Sequence, residues 1–337
     1  MISCTKGIFM KVILPVAGKG TRLLPQTQVK PKGLVRVAGQ PVLGHLLDRI
    51  RDLPIEEIIV IVDADRDNEA QIKTFMEAAA PAPVQYVQQL ELRGPAHAVF
   101  LARDHIERDV FIIFNDTLFD ADLSQVGQAA TDGIIWVREV DDPRRFGLVV
   151  TQDDRITELV EKPEDPPSNL AMIGMYYMKD GPGLMKRIES VIEADRTVKG
   201  EFYLPDPFQM MINEGYNFEA AQVQGWYDCG TVEALLETNC VLLENKHLVS
   251  GSHEECVIIP PVNIEAGARL NRSVIGPHVS VSAGAVIQNS IIRDSIINEN
   301  ATVEDALIQH SLIGENSVVK GAYKRLNVGD YSALHDA

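Results

Sequence analysis

Runs of apolar residues alternate with amphipathic segments over the first part of the chain. Short, continuous apolar runs predict buried strands, and positions repeating every three to four residues predict helices between them. The predicted strands are 11–16, 55–62, 109–114 and 133–140, then shorter ones at 147–150, 156–160 and 173–178. The predicted helices are 42–53, 68–79 and 96–105. Because buried strands separated by helices form sheets covered on both faces, this region is expected to be one α/β domain with a mostly parallel sheet.

A different period begins after about residue 250. Apolar residues recur every five or six positions, at Ile258, Ile264, Leu270, Ile275, Val281, Ile287, Ile292, Ile297, Val303, Ile308, Ile313 and Val319. Neither a helix nor an alternating strand has this period, whereas hexapeptide repeats place one apolar residue per turn inside a triangular β-helix. About three hexads per coil leaves room for roughly three to four coils.

These patterns predict two domains. A Rossmann-like α/β domain is expected over residues 10–248, followed by a short left-handed parallel β-helix of hexapeptide repeats over residues 256–322. Met10 is a second possible start, because the first strand follows it directly, and residues 1–9 are expected to add nothing to the fold.

Composition excludes several classes of protein. With 337 residues, 45% of them hydrophobic and 23% charged, the chain is neither disordered nor fibrous. Its apolar runs are far shorter than the roughly 20 residues of a membrane helix, and no secretory leader opens it, so membrane insertion and secretion are not expected. The four cysteines are far apart in sequence, and no histidine pair has metal-ligand spacing. The spacing of the cysteines predicts free thiols in a reducing cytoplasm and no disulfides, and the spacing of the cysteines and histidines predicts no zinc site.

Charge is distributed unevenly. The net charge of −17 argues against binding a nucleic-acid backbone. Residues 1–47 nevertheless contain seven lysines and arginines and no acidic residue, since Asp48 is the first. A basic, acid-free segment in an acidic protein predicts a local binding site for anions, most simply phosphates.

The strongest motif follows the first predicted strand. It reads Gly18-Lys-Gly-Thr-Arg-Leu-Leu-Pro25, with Pro31-Lys32 shortly after. A glycine-rich turn after a buried strand lets backbone N–H groups approach phosphate oxygens, and Arg22 and Lys32 add positive charge for a triphosphate. The segment matches neither the P-loop nor the complete dinucleotide-binding motif.

With these residues the sequence resembles the sugar-1-phosphate nucleotidylyltransferases from Lys11 to about Glu244, and members of that family also carry β-helical tails. The resemblance implies a reaction of a nucleoside triphosphate with a sugar 1-phosphate that releases pyrophosphate by in-line attack on the α-phosphorus. Such chemistry depends on positioning and charge neutralisation more than on a covalent group. The implied catalytic residues are Arg22, Lys32 and Lys162, and the implied nucleotide-binding residues are Ala17, Gly18, Gly20, Thr21, Gln89 and Gly94.

Two aspartates are candidates for a metal site. Asp116 follows a predicted strand, at the edge where open α/β sheets bind ligands, and Asp228 lies beside a glycine turn. Two carboxylates together with phosphate oxygens suit Mg²⁺, and the family's matching aspartates hold the metal. Alternatively, Asp116 caps a strand-end turn and Asp228 caps a helix starting near Thr231.

Sugar and base recognition are assigned to further positions. Lys162 can reach a phosphate and Glu161 can accept sugar hydroxyls; the resemblance assigns Glu161, Gly147, Gly174 and Tyr176 to the sugar. A glycine in a strand can equally mark a bulge. The amide of Gln89 can pair with the edge of thymine or uracil, with Gln88 as the neighbouring alternative. Pro205 and Gly33 depart from the family pattern, which affects base and sugar preference.

The sequence therefore predicts a Mg²⁺-dependent transfer from dTTP or UTP to glucose 1-phosphate. The alternatives are a GTP-dependent mannose-1-phosphate guanylyltransferase, a bifunctional enzyme with acyltransferase activity in the tail, and a non-catalytic regulatory subunit. The tail carries only His278 and His310 as candidate bases for acyl transfer. It is expected to mediate self-association into a homo-oligomer, so that a chain cut near Ser250 would form a smaller assembly and keep measurable activity.

Overall fold

The computed structural model describes residues 9–153, 155–244, 246–321 and 326–334. These residues divide into two compact units. The first is formed by the chain up to Gly18 and by Leu46–Trp226, and the second by Lys19–His45 and the chain from Tyr227 onward. Cys4 and the expectation for residues 1–9 lie outside the described residues except at Phe9. The predicted boundaries at 248, 256 and 322 stay predictions, and residue 322 is not among those described.

The helices and strands are as follows. The helices are α1 (Val42–Ile50), α2 (Arg66–Ala79), α3 (Pro95–Phe100), α4 (Gly181–Glu193), α5 (Pro205–Asn213) and α6 (Val232–Leu243). The strands up to residue 228 are β1 (Met10–Pro15), β2 (Arg36–Val37), β3 (Gln40–Pro41), β4 (Ile55–Asp63), β5 (Val84–Gln89), β6 (Val110–Ile113), β7 (Thr117–Asp120), β8 (Gly133–Glu139), β9 (Gly147–Gln152), β10 (Arg155–Glu161), β11 (Leu170–Met178), β12 (Phe218–Gln222) and β13 (Gly225–Asp228).

The remaining strands are short. They are β14 (Leu248–Val249), β15 (Ser252–Glu254), β16 (Val257–Ile258), β17 (Val262–Ile264), β18 (Arg269–Asn271), β19 (Val274–Ile275), β20 (Val279–Val281), β21 (Val286–Gln288), β22 (Ile291–Arg293), β23 (Ser295–Ile297), β24 (Thr302–Glu304), β25 (Leu307–Gln309), β26 (Leu312–Ile313), β27 (Val318–Lys320), β28 (Asn327–Val328) and β29 (Ala333–Leu334).

The first unit is built on a nine-stranded sheet with the strand order β5-β4-β1-β6-β11-β8-β12-β10-β9. Strands β11 and β10 run opposite to the other seven, so the predicted mostly parallel sheet is confirmed. Strand β5 was not predicted from the sequence. In its sequence, Val-Gln-Tyr-Val-Gln-Gln, glutamines separate the apolar residues, so the continuous apolar run that marks a buried central strand is missing. Strand β5 is instead an edge strand.

Apolar side chains of the helices pack against the sheet of this unit. Helix α3 packs on β1, and α5 packs on β10 and α4. Fully buried side chains such as Phe208 and Phe218 meet edge to face, with ring centroids 5.6 Å apart. The predicted helix 96–105 is shorter than expected: α3 ends at Phe100 and a 3₁₀ turn follows over Arg103–His105.

The second unit contains the predicted β-helix. Its strands stack into three parallel sheets of six, six and four strands, in the arrangement of a left-handed β-helix. All the apolar positions of the predicted repeat belong to its core, of which Ile258 is partly buried and the rest are buried. The described residues include four complete coils and two partial ones, more than predicted, because the first strand begins at Leu248 and two further strands follow Lys320. Among the described residues, every helix is too short or too polar to span a bilayer.

The segment Lys19–His45 and helix α6 belong to the second unit and pack on the β-helix. The Gln26 side chain, 2% exposed, donates from Nε2 to the carbonyl oxygens of Val328 (2.8 Å) and Leu312 (3.4 Å). Asn239 of α6 is fully buried, where its Oδ1 accepts from the Ala38 backbone N–H and from the Ser280 hydroxyl. These buried hydrogen bonds fix the segment and α6 against specific coils.

Candidate active site

The glycine-rich loop follows β1, and the first residues of the loop are hydrogen-bonded to the sheet. The N–H groups of Val16 and Ala17 both donate to the Ile61 carbonyl oxygen at 2.9 Å. Space is open around Gly18, since a Cβ added there would meet no atom within 4 Å. Gly20 has a left-handed backbone (φ 56°), and its carbonyl oxygen accepts from the Thr27 hydroxyl at 2.7 Å. The loop is thus fixed at both sides and open in the middle, as a site for an anion on backbone N–H groups requires.

Arg22 and Asp228 approach the same residue, Gly230. A Cβ built on Gly230 would lie 3.1 Å from Nη2 of Arg22 and 2.7 Å from Oδ1 of Asp228. The Gly230 N–H donates to the same Asp228 oxygen at 2.6 Å. Only glycine leaves room for a guanidinium and a carboxylate at this point. Thr21 and Arg22 are exposed and Lys32 is half-buried, so all three can meet a ligand.

Helix α6 follows this turn, and its cap is Thr231. The Thr231 hydroxyl oxygen accepts from the Ala234 N–H at 3.2 Å, and the Thr238 hydroxyl donates to the Asp228 carbonyl oxygen. The helix-cap alternative for Asp228 is therefore wrong, because Thr231 fills that position. The Asp228 carboxylate is held at the mouth of the turn, with Oδ2 outside the hydrogen bond to Gly230.

Asp116 lies just beyond the carboxyl end of β6, as predicted. The preceding Asn115 is 7% exposed, and its Nδ2 has no hydrogen-bond partner in the described part of the chain. Burial, and then the negative charges of Glu161 and Asp116, raise the pKa of Tyr176. Asp116, Glu161 and Tyr176 are therefore brought together at one edge of the sheet.

Glu161 and Lys162 end strand β10. The two side chains form an ion pair at 3.4 Å. Burial raises the pKa of Glu161 to about 7, although Lys162 lowers it, and the negative charges of Asp206 and Glu201 add to the increase. A carboxyl group with this pKa changes charge near neutral pH, which is typical of functional sites.

Lys162 is held in place by a tyrosine that the sequence analysis did not single out. Its Nζ donates to the Tyr203 hydroxyl at 2.6 Å and lies 4.1 Å from the centre of that ring. The Tyr203 hydroxyl in turn donates to Glu201 at 2.5 Å. The segment Gly200-Glu-Phe-Tyr-Leu-Pro-Asp206 resembles a segment of the family pattern except at Pro205, and Tyr203 occupies a variable position of that pattern, so the sequence did not single it out.

The glycines assigned to the sugar lie in the same region. Gly147 is the register partner of Glu161 across β9 and β10. Gly174 (φ 83°) lies where the register of β11 against β8 shifts, so the bulge reading applies to it. Its carbonyl oxygen accepts from the N–H of Phe114, which is two residues before Asp116, at 3.0 Å.

The two candidate base-reading glutamines face different surroundings. Gln89 is 4% exposed at the end of β5, with Nε2 3.3 Å from Nδ1 of His97. Gln88 is exposed and donates to Glu69 of α2 at 2.6 Å. Burial, and then Arg93, lower the pKa of His97, so its neutral ring can accept the Gln89 amide N–H and leave the amide oxygen for a ligand.

Gly94 connects this region to the Tyr203 segment. Its backbone (φ 106°) precedes α3, and a Cβ there would lie 2.6 Å from both N and O of Phe202. The Ala96 N–H donates to the Phe202 carbonyl oxygen, and the Phe202 N–H donates to the Arg93 carbonyl oxygen. Residues near the candidate base pocket and residues near Lys162 are thus joined through one backbone segment.

Comparison with known proteins identifies the family of the chain. The pattern of the nucleotidyl transferase family matches residues 11–245, which is most of the chain. The chain belongs to the nucleotidyl transferase family. This membership confirms the resemblance stated from the sequence.

Individual relatives of this nucleotidyl transferase are informative. It is 36% identical over 224 residues to the UTP–glucose-1-phosphate uridylyltransferase AglF of Haloferax volcanii, covering 64% of this chain and 89% of the relative. It is 30% identical over 294 residues to a glucose-1-phosphate thymidylyltransferase of Streptomyces antibioticus, covering 84% and 81%. A solved UDP-glucose pyrophosphorylase complexed with UDP-glucose has a TM-score of 0.60 at 22% identity, covering 71% of this chain and all of that one; this likeness shows the fold.

The basic N-terminal segment of this nucleotidyl transferase has a second use that the sequence did not reveal. Lys30 contacts Glu315 at 2.7 Å, and Arg36 contacts Glu265 at 2.5 Å and Glu299 at 3.1 Å. Lys11 contacts two glutamates after α1. Lys11, Lys30 and Arg36 therefore pair with carboxylates, and the charges of Lys30 and Arg36 serve packing on the β-helix.

Proposed function

We propose that this protein transfers a nucleotidyl group from UTP or dTTP to glucose 1-phosphate, releasing pyrophosphate. The observation that carries this proposal is the pair Glu161 and Lys162, held by Tyr203 beside Asp116 and Tyr176 in a nucleotidyl transferase. A fixed lysine suits the phosphate monoester, and an ionisable carboxyl suits sugar hydroxyls. The names of the two sequence relatives support glucose 1-phosphate and a pyrimidine nucleotide.

The roles divide among the candidate residues. Arg22 and Lys32, with the N–H groups of Ala17–Thr21, neutralise the triphosphate; Lys162 holds the attacking phosphate. The Gln89 amide reads the pyrimidine edge, and the backbone at Gly94, Gly147 and Gly174 shapes the pockets. No residue needs to form a covalent bond, because in-line attack on phosphorus is accelerated by alignment and by positive charge.

Asp116 and Asp228 are the proposed Mg²⁺ ligands. Their carboxylate oxygens are the donors that Mg²⁺ prefers, and Asp228 keeps an oxygen outside its hydrogen bond to Gly230. Bound Mg²⁺ would neutralise charge on the phosphates. Activity should require added Mg²⁺ after EDTA treatment, and Asp116→Asn and Asp228→Asn should each lower the rate and weaken its dependence on Mg²⁺. Full activity in EDTA would refute this assignment.

A matrix of pyrophosphate release tests the proposed reaction. Five nucleoside triphosphates are each combined with several sugar 1-phosphates, and UTP or dTTP with glucose 1-phosphate should be the fastest pairs. GTP with mannose 1-phosphate as the best pair would replace the proposed substrates. No release from any pair would favour the regulatory alternative. Thiol release from acetyl-CoA with the sugar acceptors present would reveal acyl transfer by the tail.

We also propose that the β-helix mediates self-association. Val257, Val274, Ile291 and Leu307 are register neighbours on successive coils, and the first, third and fourth are 56%, 49% and 47% exposed. A continuous exposed apolar row on one face is typical of an interface. Ile291→Glu should lower the sedimentation coefficient, whereas Arg269→Glu, on another face, should not. An unchanged assembly in Ile291→Glu would contradict the proposal.

The prediction that a chain cut near Ser250 stays active is untested. The cut would remove the carboxylate partners of Arg36 and the carbonyl partners of Gln26. Point substitutions on the apolar row are therefore the cleaner test of oligomerisation. We propose a location in a reducing compartment such as the cytoplasm, where the thiols of Cys229, Cys240 and Cys256 would stay reduced.

A further inference from the structure

A cluster of four side chains lies where helix α6 packs on the β-helix, away from the residues assigned to the reaction. Sγ of Cys240, a ring nitrogen of His278 and a carboxylate oxygen of Asp294 all lie within 4.8 Å of one another. The fourth member is Glu244, one helical turn after Cys240 on α6. We call these four residues the corner cluster.

The ligand-type side chains are presented by rigid backbone. His278 and Asp294 occupy corresponding corners of successive coils, both with left-handed backbone (φ 57° and 46°). The His278 N–H donates to the Pro261 carbonyl oxygen, and the Asp294 N–H donates to the Pro277 carbonyl oxygen. The His278 carbonyl oxygen accepts from Nδ2 of Asn239, which is next to Cys240 on α6. Helix α6 and the two corners of the β-helix are therefore fixed in relation to each other before any ligand binds.

The polar contacts of His278 assign a different role to each ring nitrogen. Nδ1 lies 3.1 Å from Oδ1 of Asp294, and Nε2 lies 3.4 Å from Oε1 of Glu244. In tetrahedral zinc sites, nitrogen and oxygen ligands at about 2.0–2.2 Å from the metal are separated by about 3.3 Å. A ligating histidine usually donates its other N–H to a carboxylate, which is the position of Glu244.

We propose that Cys240, His278 and Asp294 form a binding site for a thiophilic divalent cation, Zn²⁺ first, with Glu244 orienting the histidine. One thiolate, one imidazole and one carboxylate match the preferences of zinc, whereas Mg²⁺ takes oxygen ligands. Side-chain exposures of 25% for His278 and 22% for Asp294 leave access for the ion and a fourth, water ligand. Spacing could not predict this site, since its residues come from three separate parts of the sequence.

The charges of the cluster favour a cation. The carboxylates of Asp294 and Glu244 both face the His278 ring, and a divalent cation would balance their negative charge. Bound metal would join α6 to two coils of the β-helix, and α6 starts four residues after Asp228, following the turn at Gly230.

Metal content and spectroscopy test the proposal. The full-length protein is stripped with chelator, incubated with Zn²⁺ or Co²⁺ alone, and freed of unbound ion. We expect one equivalent of Zn²⁺ per chain, a thiolate-to-cobalt charge-transfer band with Co²⁺, and a Tm raised by Zn²⁺ in the unaltered protein. Binding of Co²⁺ without that band would place the ion at oxygen ligands elsewhere and overturn the site.

Variants identify the ligands. Cys240→Ser and Asp294→Asn should each lower Zn²⁺ affinity at least ~100-fold, and Glu244→Gln about 10-fold, as for removal of an orienting carboxylate. Cys256→Ser is the matched control, because it removes a thiol of the second unit that lies outside the corner cluster. Unchanged binding in Cys240→Ser refutes the proposal. If that variant does not fold, the presence or absence of the cobalt band in the unaltered protein decides the question.

Discussion

The nine-stranded sheet and the β-helix are both largely parallel, yet they use unusual backbone conformations in different ways. In the β-helix, Arg272, Asn289 and Asp305 stand at corresponding corners of successive coils, all with left-handed backbone between 46° and 52°. In the sheet unit, the positive φ values of Gly94 and Gly174 do not belong to a repeat. Each of these two glycines lies close to one particular neighbour. Repetition makes a corner residue replaceable, whereas Gly94 and Gly174 are each required by a specific neighbour that approaches them.

The largest expected effect is on catalysis, and it distinguishes two arginines of the basic segment. Arg22→Ala should lower kcat/KM at least ~100-fold, because one donor to the transition state typically contributes about 2.7–4 kcal/mol. Arg36→Ala should instead lower Tm with little change in kcat, since Arg36 pairs with Glu265 and Glu299 of the β-helix. Steady-state kinetics and thermal unfolding of both variants measure this. Near-normal turnover by Arg22→Ala would remove its catalytic assignment.

Exchanging glycine and asparagine in opposite directions tests the contrast between the repeated corners of the β-helix and the glycines that have a close neighbour. Gly94→Asn should lower the free energy of unfolding by at least roughly 1–3 kcal/mol, the cost of its backbone conformation alone, because a Cβ would also lie 2.6 Å from the Phe202 backbone. Asn289→Gly should change it by less than about 1 kcal/mol, since glycine adopts the same corner. Urea unfolding of both variants gives the comparison. Equal losses would show that φ, rather than contact, determines the choice of glycine.

The smallest expected effect concerns pH. Because the pKa of Glu161 is raised to about 7, the folded protein binds a proton there that the unfolded chain loses near pH 4.5. Its contribution to stability is therefore present at low pH and lost as pH rises from about 4.5 through 7. Glu161→Gln should flatten this part of the stability profile. An unchanged slope in Glu161→Gln would contradict this assignment.

The same titration should appear in substrate binding. Ionised Glu161 accepts hydrogen bonds from sugar hydroxyls better than the protonated form, so KM for the sugar 1-phosphate should fall as pH rises through 7. In Glu161→Gln, KM should not vary over this range. A KM for the unaltered enzyme that stays constant between pH 6 and 8 would contradict the assignment of Glu161 to the sugar.

The two regions also differed in how far the sequence predicted them. The β-helix repeats one local rule, so every inward apolar position from Ile264 to Val319 was found in its core. Strand β5 was missed because an edge strand needs no continuous apolar run. Tyr203 was missed because its role depends on Lys162, 41 residues away in sequence.

Pairing across long distances explains the remaining differences. The charge of residues 1–47 predicted an anion site but could not show that Glu265, Glu299 and Glu315 contact two of its basic residues. Likewise, no sequence spacing relates Cys240 to Asp294. Local patterns identify which residues face inward or cap a helix, and only the fold shows which distant side chains meet.

The buried hydrogen bonds of Gln26 have a consequence for the order of folding. Their acceptors, Leu312 and Val328, lie 286 and 302 residues later in the chain. During synthesis from the N-terminus, the first unit can form its sheet while these carbonyl groups have not yet been made. The segment with Arg22 and Lys32 therefore reaches its final position only when the last coils emerge from the ribosome. The predicted activity of a chain cut near Ser250 therefore also tests whether this segment can take up its position without the last coils.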